Sequence, residues 1–484
     1  MNRKQEITRR DALARSAAIG GFSFLPVKVF GRGGAIPPND KMNVAFIGIG
    51  GLYGPKALRE LASQNIVAVC DIDWRPGTPG AGGVTPAIDI ANKNPQAKKF
   101  DDWRVMLQEM DKSIDGVVVC SADHTHAHAA ITAMKMGKHV FCEKPLAHSV
   151  HEIRAMMAAE KKYKVATQHG VQGHASEDLL SMAEWIKDGA IGDVKEVHVF
   201  EGARPANAPR PANAPQPPDP AAYYEPIKHI HDEIPVPPEV KWDLFVGPSP
   251  FRPWNPMYTP LRWRNWVDFG TGLLGDHGSH FLDPVFTALD LGLPETIEAD
   301  TDPEYGPEQM AQMFPRMATV RYTFAARGKM PAATVTWHAN HMPPMPKGWK
   351  EGDKFPTGGG MFIGSKGALI YSNIYMGKPK ESVPDMIRLF PDELDKSYKR
   401  PAKTLPRPES HWLEWVECAR THKPASTNFQ QSGLVCQACL LGDIGIMHKG
   451  KILRYDTKAG KFTNSETANQ MLQRKYREGW PLPA

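Results

Sequence analysis

Residues 43–54 read Asn-Val-Ala-Phe-Ile-Gly-Ile-Gly-Gly-Leu-Tyr-Gly, and this stretch decides the fold. Its first part, Asn43–Gly48, is a short apolar run typical of a buried strand, and a helical pattern follows over Pro55–Ser63. Glycines between a strand and a helix let the backbone approach a pyrophosphate, which rests on the helix N-terminus. The glycines predicted to contact a dinucleotide are Gly48, Gly50 and Gly51.

A second apolar strand, Ile66–Cys70, ends in the acidic residue Asp71. A carboxylate about 20 positions after the glycine turn can bind ribose hydroxyls, so Asp71 favours NAD over NADP. The turn departs from the usual spacing, because Tyr53 stands at the third-glycine position and Gly54 follows it. The packing of the helix and the choice between NAD and NADP therefore stay open, and glycines that serve only a tight turn are the alternative.

Strands and helices continue to alternate as far as residue 170. Apolar strands are predicted at 116–120, 140–142 and 164–168, with helices at 86–93, 102–110, 127–136 and 150–161. This alternation is typical of a parallel sheet covered by helices. Residues 39–170 are therefore predicted to form a Rossmann dinucleotide-binding domain of the α/β class.

Two polar stretches follow strands of this predicted sheet, where α/β proteins bind their ligands. The first is Ser121-Ala-Asp-His-Thr-His126. Ser121, Asp123 and His124 are predicted to lie near the nucleotide, and helix capping is the alternative. For Thr125, helix capping is the favoured role. The second is Gly137-Lys-His-Val-Phe-Cys-Glu-Lys-Pro145, where Pro145 ends the strand and fixes the backbone. Glu143 and Lys144 are therefore positioned to meet a ligand.

The composition is that of an ordinary globular protein with room for two substantial domains. The chain has 484 residues, of which 23% are charged, and a formal net charge of +5. Its Lys and Arg residues are scattered, without the basic stripe interleaved with aromatics that nucleic-acid binding uses. Six cysteines are too few for a disulfide scaffold. The Cys436-x-x-Cys439 pair lies in an apolar helical pattern without a second ligand pair, so core packing is favoured and no metal is expected.

The N-terminus is predicted to be a targeting segment. Thr8-Arg9-Arg10-Asp11-Ala12-Leu13 precedes a weakly apolar run of small residues, as in a twin-arginine signal. Residues 1–38 are therefore assigned to a signal and linker, and the protein is expected to be periplasmic or secreted. The apolar run is too short and interrupted for a convincing membrane span. An untargeted tail is the alternative.

After Gly170 the pattern changes. Three β-rich runs, Val194–Glu201, Ala318–Phe324 and Ala332–His338, come without long helices between them and predict a largely antiparallel sheet. Residues 171–484 are thus predicted to form an α+β substrate domain with a large, mostly antiparallel open sheet. Ala203–Pro220 is expected to be an extended surface loop. The aromatic stretch 242–266 suits either a wall that stacks on sugars or a protein–protein contact.

A further polar cluster lies in Gly270-Thr-Gly-Leu-Leu-Gly-Asp-His-Gly-Ser-His-Phe-Leu-Asp283. Asp276 and His280 are four residues apart and would share one face of a helix. A carboxylate and an imidazole beside glycines suit general acid–base chemistry near neutral pH. Zinc binding has too few clear ligands here, and the structural alternative is a helix N-cap at Asp276 with His280 hydrogen-bonded in the core.

Taken together, these motifs resemble the Gfo/Idh/MocA family, the glucose–fructose oxidoreductase and inositol dehydrogenase group, and within it the long secreted bacterial branch. The resemblance covers nearly all of the chain after the signal. It is carried by the Gly48–Gly54 turn, Val69–Asp73, Asp123–His126, Gly137–Pro145, Trp242–Pro248, Gly275–Asp283 and Tyr476–Trp480.

The resemblance implies that Lys144, Asp276 and His280 converge on a substrate carbon beside the nicotinamide of NAD or NADP. It implies oxidation of a secondary hydroxyl of a sugar, polyol or glycoside. His280 would accept the proton, Asp276 would orient the imidazole or hold the substrate, and Lys144 would polarise the oxygen. The Lys144–Pro145 bond is expected to be cis. A homo-oligomer formed through the C-terminal sheet is also implied.

Export constrains the supply of nucleotide, because free nicotinamide nucleotides are expected to be scarce outside the cytoplasm. An oxidoreductase that holds its nucleotide tightly is therefore the favoured function. A redox-neutral NAD-dependent glycosidase, like the secreted N-acetylgalactosaminidases, is the first alternative. A sugar-binding protein that keeps an inert Rossmann fold is the second.

Overall fold

The computed structural model describes residues 41–77, 84–202, 220–346, 349, 355–372 and 386–483. The twin-arginine stretch and the proline-rich run 203–219 lie outside these residues, so the predictions made for them remain predictions. Within the described ranges, no helix combines the length and the apolar character needed to cross a membrane.

The first sheet contains six parallel strands in the order β3-β2-β1-β4-β5-β6. This is the parallel sheet predicted from the sequence, and its strand order reverses between β1 and β4, where such sheets bind ligands. The strands are β1 (Asn43–Ile47), β2 (Asn65–Cys70), β3 (Lys98–Phe100), β4 (Gly116–Val119), β5 (His139–Cys142) and β6 (Thr167–His169).

Five helices connect these strands and cover both faces of the sheet. They are α1 (Tyr53–Glu60), α2 (Ala87–Lys93), α3 (Trp103–Glu109), α4 (Asp123–Lys135) and α5 (Val150–Tyr163). Helix α4 begins four residues earlier than predicted, so the polar stretch after β4 forms its first turn. Thr125 is therefore not the cap; its hydroxyl donates to the carbonyl oxygen of Ala122 at 2.8 Å from within the helix.

The second sheet contains nine strands in the order β13-β12-β11-β7-β10-β9-β8-β14-β15. Neighbouring strands are antiparallel except β7 and β10, which are parallel, so the mostly antiparallel sheet is confirmed. The strands are β7 (Val194–Glu201), β8 (Thr296–Thr301), β9 (Ala318–Phe324), β10 (Ala333–Ala339), β11 (Gly358–Gly364), β12 (Ala368–Ser372), β13 (Ile387–Phe390), β14 (Leu453–Asp456) and β15 (Lys461–Phe462).

Helices also lie between the β-rich runs of the second half, which the sequence reading missed. They are α6 (Glu177–Lys187), α7 (Pro220–Tyr224), α8 (Trp242–Val246), α9 (Gly272–Asp276), α10 (Gly278–Leu289), α11 (Pro307–Met310), α12 (Asp392–Ser397), α13 (His411–Thr421), α14 (Phe429–Ile446) and α15 (Glu466–Met471). Helices α6, α10 and α14 pack together between the two sheets. One continuous hydrophobic core therefore joins the two halves of the molecule.

Helix α13 packs on the first sheet although it lies far downstream in the chain. Its side chains Trp412 and Trp415 are buried in the cluster that also contains Phe46 of β1, Val118 of β4 and Phe141 of β5. Side chains of α1 and α2 belong to the same cluster, and α13 packs beside these helices on the same face of the first sheet. The nucleotide-binding half thus consists of residues 41–170 plus a helix from far downstream, because the chain returns to the first sheet after β13 and before it adds β14 and β15 to the second.

Candidate active site

The glycine turn after β1 packs closely against neighbouring backbone. Gly48 has φ +79°, and a Cβ there would lie 2.6 Å from the backbone nitrogen of Ser121, so only glycine fits. Gly54 lies in α1, where a Cβ would lie 2.2 Å from the carbonyl oxygen of Ile49. Gly54 therefore provides the close helix–strand packing expected of a third glycine, one residue later than usual.

Asp71, at the end of β2, holds this turn in place. Its carboxylate accepts hydrogen bonds from the backbone N–H groups of Gly50 at 2.9 Å, Ile72 at 2.8 Å and Asp73 at 3.1 Å. Burial raises the pKa of Asp71 to about 6, although these hydrogen bonds act against the rise. The predicted ribose-binding carboxylate thus also fixes the shape of the glycine turn.

A cleft of about 350 Å³ opens at the switch point of the first sheet. Gly48, Gly50, Gly51, Asp71 and Ser121 line it from the first domain, and residues 259–261, Trp263 and Arg264 line it from the second. Its volume lies in the range of small-molecule sites. At Gly51, with φ +85°, a Cβ would meet no atom of the described residues within 4 Å, so the backbone there is open to a ligand. The residues present therefore fit a dinucleotide.

Asp123 and His124 are not among the residues that line this cleft, and their contact with the nucleotide stays a prediction. Thr271 donates from its hydroxyl to Oδ2 of Asp123 at 2.9 Å. The imidazole of His124 lies between two backbone carbonyl oxygens of the second domain, 3.1 Å from that of Phe269 and 2.6 Å from that of Phe245. Because α4 begins at Asp123, its first turn directs these side chains towards the second domain.

Lys144 lies at the junction of the two domains, directly after β5. Its peptide bond to Pro145 is cis, as the resemblance implies. The ammonium forms an ion pair with Asp276, and the two side chains are only 1% and 7% exposed. Arg264 binds the other oxygen of the same carboxylate, with Nε 3.0 Å from Oδ2. One carboxylate of the second domain therefore holds a cation from each domain.

The charges of this cluster control its pKa values. Burial raises the pKa of Asp276, but Lys144 and Arg264 more than offset burial and hold it well below its usual range. The pKa of Lys144 is raised, because the attraction of Asp276 outweighs the burial that would lower it. Both groups are therefore charged at neutral pH.

His280 lies one helical turn after Asp276, in α10, and is 3% exposed. Burial first, and then the ammonium of Lys144, lowers the pKa of His280 well below its usual value. The imidazole is therefore neutral and can accept a proton. Asp276 is not the helix N-cap of the structural alternative, because it ends α9 and its carboxylate binds the two cations.

Glu143 is buried away from the cleft. Gln172 donates from Nε2 to its Oε1 at 3.0 Å, and a Cβ on Gly170 would lie 2.5 Å from its Oε2. Burial raises the pKa of Glu143 to about 7, although Lys144 acts against the rise. The side chain thus supports the loop after β6, and its contact with the nucleotide stays a prediction.

Three residues of the site were missed in the sequence. Tyr53 lines the cleft, and the Nζ of Lys144 lies 5.0 Å from the centre of its ring. Arg264 and Trp480 line the cleft as well. Tyr53 and Arg264 therefore separate the buried Lys144–Asp276 pair from the cleft. Tyr53 and Trp480 lie in sequence motifs, the Gly48–Gly54 turn and Tyr476–Trp480, whereas Arg264 lies in an aromatic stretch without a recognisable pattern.

Most aromatic side chains of the stretch 242–266 are buried rather than forming an open wall. Trp242, Trp254, Tyr258, Trp263 and Trp266 are all at most 7% exposed. Trp242 stacks on Phe245, with ring centres 4.8 Å apart, and the group forms the core beneath the cleft. Of these five only Trp263 lines the cleft.

Cys436 and Cys439 are buried in α14, where the sulfur of Cys436 lies 3.7 Å from Nε2 of His169. They pack in the hydrophobic core that joins the two halves. Among the residues that the structure describes, no group of three or more His, Cys, Asp and Glu side chains could hold a metal ion.

Two segments of the chain match family models. Residues 42–171 match the oxidoreductase family with an NAD-binding Rossmann fold, GFO_IDH_MocA. Residues 223–329 match the oxidoreductase family's C-terminal alpha/beta domain, GFO_IDH_MocA_C2. The first match ends close to the boundary at residue 170 that the strand–helix alternation predicts.

Curated relatives match over part of their length. Inositol 2-dehydrogenase of Salmonella paratyphi B is 30% identical over 162 residues, which are 32% of this chain and 45% of that protein. Levoglucosan dehydrogenase of Pseudarthrobacter phenanthrenivorans is 32% identical over 116 residues, 22% of this chain and 29% of that one. Glycosyl hydrolase family 109 protein 1 of Akkermansia muciniphila is 28% identical over 180 residues, 35% of each chain. The chain thus spans less than half the length of these relatives.

Solved structures share the fold over most of the chain. The aldose-aldose oxidoreductase of Caulobacter crescentus, complexed with glycerol, has a TM-score of 0.52 at 16% identity and covers 86% of this chain and 99% of its own. GenD2 from gentamicin A biosynthesis, in complex with NAD, also has a TM-score of 0.52 at 16% identity, covering 86% of this chain and 97% of its own.

Proposed function

Because the chain belongs to the Gfo/Idh/MocA family of oxidoreductases, we propose that it oxidises a secondary hydroxyl of a sugar, polyol or glycoside with a nicotinamide nucleotide that it holds tightly. One observation carries this proposal. Lys144, Asp276 and the neutral His280 form one buried cluster between the two domains, separated from the cleft only by Tyr53 and Arg264. Such a cluster can bind a hydroxyl and remove its proton.

The nucleotide would lie on the glycine turn. The backbone of Gly48–Gly51 and the N-terminus of α1 would hold the pyrophosphate, and Asp71 would bind the ribose. Asp71 and Asp73 both line the cleft, and two carboxylates there disfavour the extra phosphate of NADP, so NAD is the preferred nucleotide. Arg75 also lines the cleft but is paired with Asp73 at 2.5 Å. The bound nicotinamide supplies the hydride acceptor.

The side chains of the buried cluster have separate roles in the proposed reaction. Lys144 is cationic and would donate from Nζ to the substrate oxygen, stabilising the negative charge that develops there. The imidazole of His280 would take the hydroxyl proton. Asp276 binds Lys144 and Arg264 in the structure, so its role is to fix the lysine rather than to orient the imidazole. Arg264 acts through Asp276 and is a positioning residue.

Tight retention of the nucleotide fits the proposed export. The Arg9-Arg10 motif supports transport by the twin-arginine route to the periplasm or beyond. Outside the cytoplasm a released nucleotide would not be replaced. A cycle that regenerates its own cofactor, by oxidising one sugar and reducing another, therefore suits this protein. We further propose a homo-oligomer formed through the open face of the nine-stranded sheet.

A redox-neutral glycosidase is the second candidate. The similarity to glycosyl hydrolase family 109 protein 1 favours it. In this reaction, transient oxidation of the substrate would acidify a neighbouring carbon, and the aglycone would be eliminated to leave an unsaturated ketone. Water would then add to that double bond, and the hydride would return to give the free sugar. The same lysine and histidine could serve both reactions.

The test begins with the purified full-length protein. After denaturation, released nucleotide is identified by absorbance and chromatography, and the native protein is then mixed with sugars, polyols and aryl glycosides. The proposal predicts bound NAD(H) and a lasting change in reduced-nicotinamide absorbance with at least one sugar or polyol, which Lys144→Ala and His280→Ala abolish. Aglycone release without that change would establish the glycosidase. A protein that neither contains nor binds nucleotide would be the inert sugar-binding form.

A further inference from the structure

The segment Arg474–Trp480 has neither helix nor strand, yet it is bonded to both domains. Arg474 donates from Nε to Glu152 of α5 at 2.8 Å and from Nη1 to the hydroxyl of Ser249 at 3.1 Å. Its Nη2 also donates to the backbone carbonyl of His124. One guanidinium therefore joins the first domain to the loop after α8 in the second.

Arg477 and Trp480 extend these connections to the edge of the cleft. Arg477 donates from its backbone nitrogen to the carbonyl oxygen of Pro248 at 2.9 Å and from Nη1 to Oδ1 of Asp243 at 2.6 Å. The carbonyl oxygen of Trp480 lies 3.2 Å from Nε2 of His128 in α4. Both ends of the segment are thus fixed across the boundary between the domains.

The ring of Trp480 is part of the cleft wall. It is 7% exposed, and the guanidinium of Arg104 lies 4.1 Å from the ring centre. Asp101, Asp102 and Trp103, which follow β3, line the same part of the cleft. Strand β3 neighbours β2, the strand that ends in Asp71, so this part of the cleft lies on the ribose-carboxylate side, where the adenosine half of a dinucleotide binds.

We propose that Trp480 is a nucleotide-binding residue, whose ring packs against the adenosine half, and that the segment Arg474–Trp480 keeps the nucleotide from leaving by holding the two domains together. This inference rests on the proposed function, because it requires a bound dinucleotide. An indole offers a large flat surface to a purine, and Arg104 fixes the orientation of the ring before the nucleotide binds. A ring that needs no ordering on binding adds more affinity than a mobile one.

The experiment measures nucleotide retention rather than catalysis. Wild type, Trp480→Ala and Trp480→Phe are purified as full chains, and their nucleotide content is determined after denaturation. The native proteins are then loaded with NADH, and its dissociation is followed by the loss of bound-nicotinamide fluorescence on dilution into excess NAD. We expect Trp480→Ala to release NADH about tenfold faster or more, as loss of one base-stacking aromatic predicts, and Trp480→Phe to release it at nearly the wild-type rate.

Trp185→Ala is the matched control. Trp185 also stacks with an arginine, Arg400, whose guanidinium lies 4.6 Å from its ring centre, but it is not part of the cleft wall. We expect this variant to retain nucleotide as the wild type does. Arg477→Ala leaves the Trp480 ring in place but loosens the segment, so this variant should also release NADH faster than the wild type. It decides the question if Trp480→Ala does not fold.

The outcomes separate this inference from the proposed function. Wild type that retains nucleotide while Trp480→Ala and Arg477→Ala release it no faster would overturn the role of the segment and leave the proposed function standing. Equally fast NADH release from Trp185→Ala would also overturn the role of the segment, because loss of a Trp–Arg stack far from the cleft would then have the same effect. Wild type that binds no nucleotide at all would overturn the proposed function and this inference with it.

Discussion

Asp276 is the residue on which the charge balance of the buried cluster depends. It forms ion pairs with Lys144 of the first domain and with Arg264 of the second, and both cations hold its pKa down. Because all three groups are largely withdrawn from water, a change at Asp276 leaves two positive charges facing each other. The cluster is therefore a connection between the domains as well as the proposed reaction centre.

Asp276→Asn is expected to lower the free energy of unfolding by about 3–5 kcal/mol and to abolish activity, because it leaves Lys144 buried without its counter-charge. Urea denaturation followed by circular dichroism measures the loss. The double variant Lys144→Met, Asp276→Asn serves as control and should lose less than the sum of the two single variants. Additive losses would show that the ion pair does not couple the two side chains.

His280 is expected to remain neutral down to pH values well below 6.5, because burial and the nearby ammonium both disfavour the imidazolium. Its titration can be followed by the NMR chemical shifts of its imidazole protons. The His280 signal is identified as the one that disappears in His280→Gln. Lys144→Met should move this pKa upward but leave it below 6.5, since burial is the larger cause. A wild-type signal that titrates near pH 6.5 would contradict the neutral base.

The resemblance to the Gfo/Idh/MocA family implied Lys144, Asp276 and His280 as partners, because each lies in a motif that carries the resemblance. The sequence could not predict Arg264, which reaches Asp276 through the tertiary fold. It also placed Asp123 and His124 at the nucleotide, because a polar stretch after a strand is usually a loop. Here α4 begins at Asp123, so the same residues become interdomain contacts. The sequence thus fails to give contacts where side-chain direction, rather than residue type, decides them.

At the scale of elements, helix α13 is the feature that sequence periodicity could not assign to a domain. It lies far downstream of the first sheet, yet Trp415 is completely buried against it. A Cβ on Gly116 of β4 would lie 2.9 Å from the Trp415 ring, so the indole occupies space that only a glycine leaves. Strand positions could be read from apolar runs, but the long-range packing of this helix could not.

Trp415→Ala is expected to cost about 3–5 kcal/mol of stability, because it leaves a large cavity between α13 and the first sheet. The free energy of unfolding is measured in urea. Glu417→Ala is a matched control on the same helix, since that side chain is 53% exposed, and it should change stability by less than about 0.5 kcal/mol. A loss below about 1 kcal/mol for Trp415→Ala would mean that α13 is not part of this core.

At the scale of the whole molecule, buried neutral histidines lie along the boundary between the two sheets. Burial, with Arg474 nearby, lowers the pKa of His124 to about 3, and burial lowers that of His128 and of His411 to about 4. Each stays neutral in the folded chain but gains a proton in the unfolded chain once the pH falls below about 6.5. The unfolded state then binds more protons, so stability decreases as the pH falls.

His124→Gln is therefore expected to make the folded protein less sensitive to acid. Between pH 6.5 and 4, the slope of the unfolding free energy against pH should decrease by about 1.4 kcal/mol per pH unit, the contribution of one proton. Urea denaturation at pH 7, 6, 5 and 4 gives both slopes. Identical slopes for the variant and the wild type would show that His124 is not held neutral at the boundary.

The return of α13 to the first sheet also determines when the protein can mature during synthesis. A nascent chain that has left the ribosome only as far as β6 exposes Phe46, Val118 and Phe141, which α13 covers in the finished molecule. Apolar surface of this kind favours aggregation or chaperone binding over folding. The first sheet is therefore expected to gain its full cover only once α13 has been synthesised, so the cleft at its switch point takes its final form late in translation.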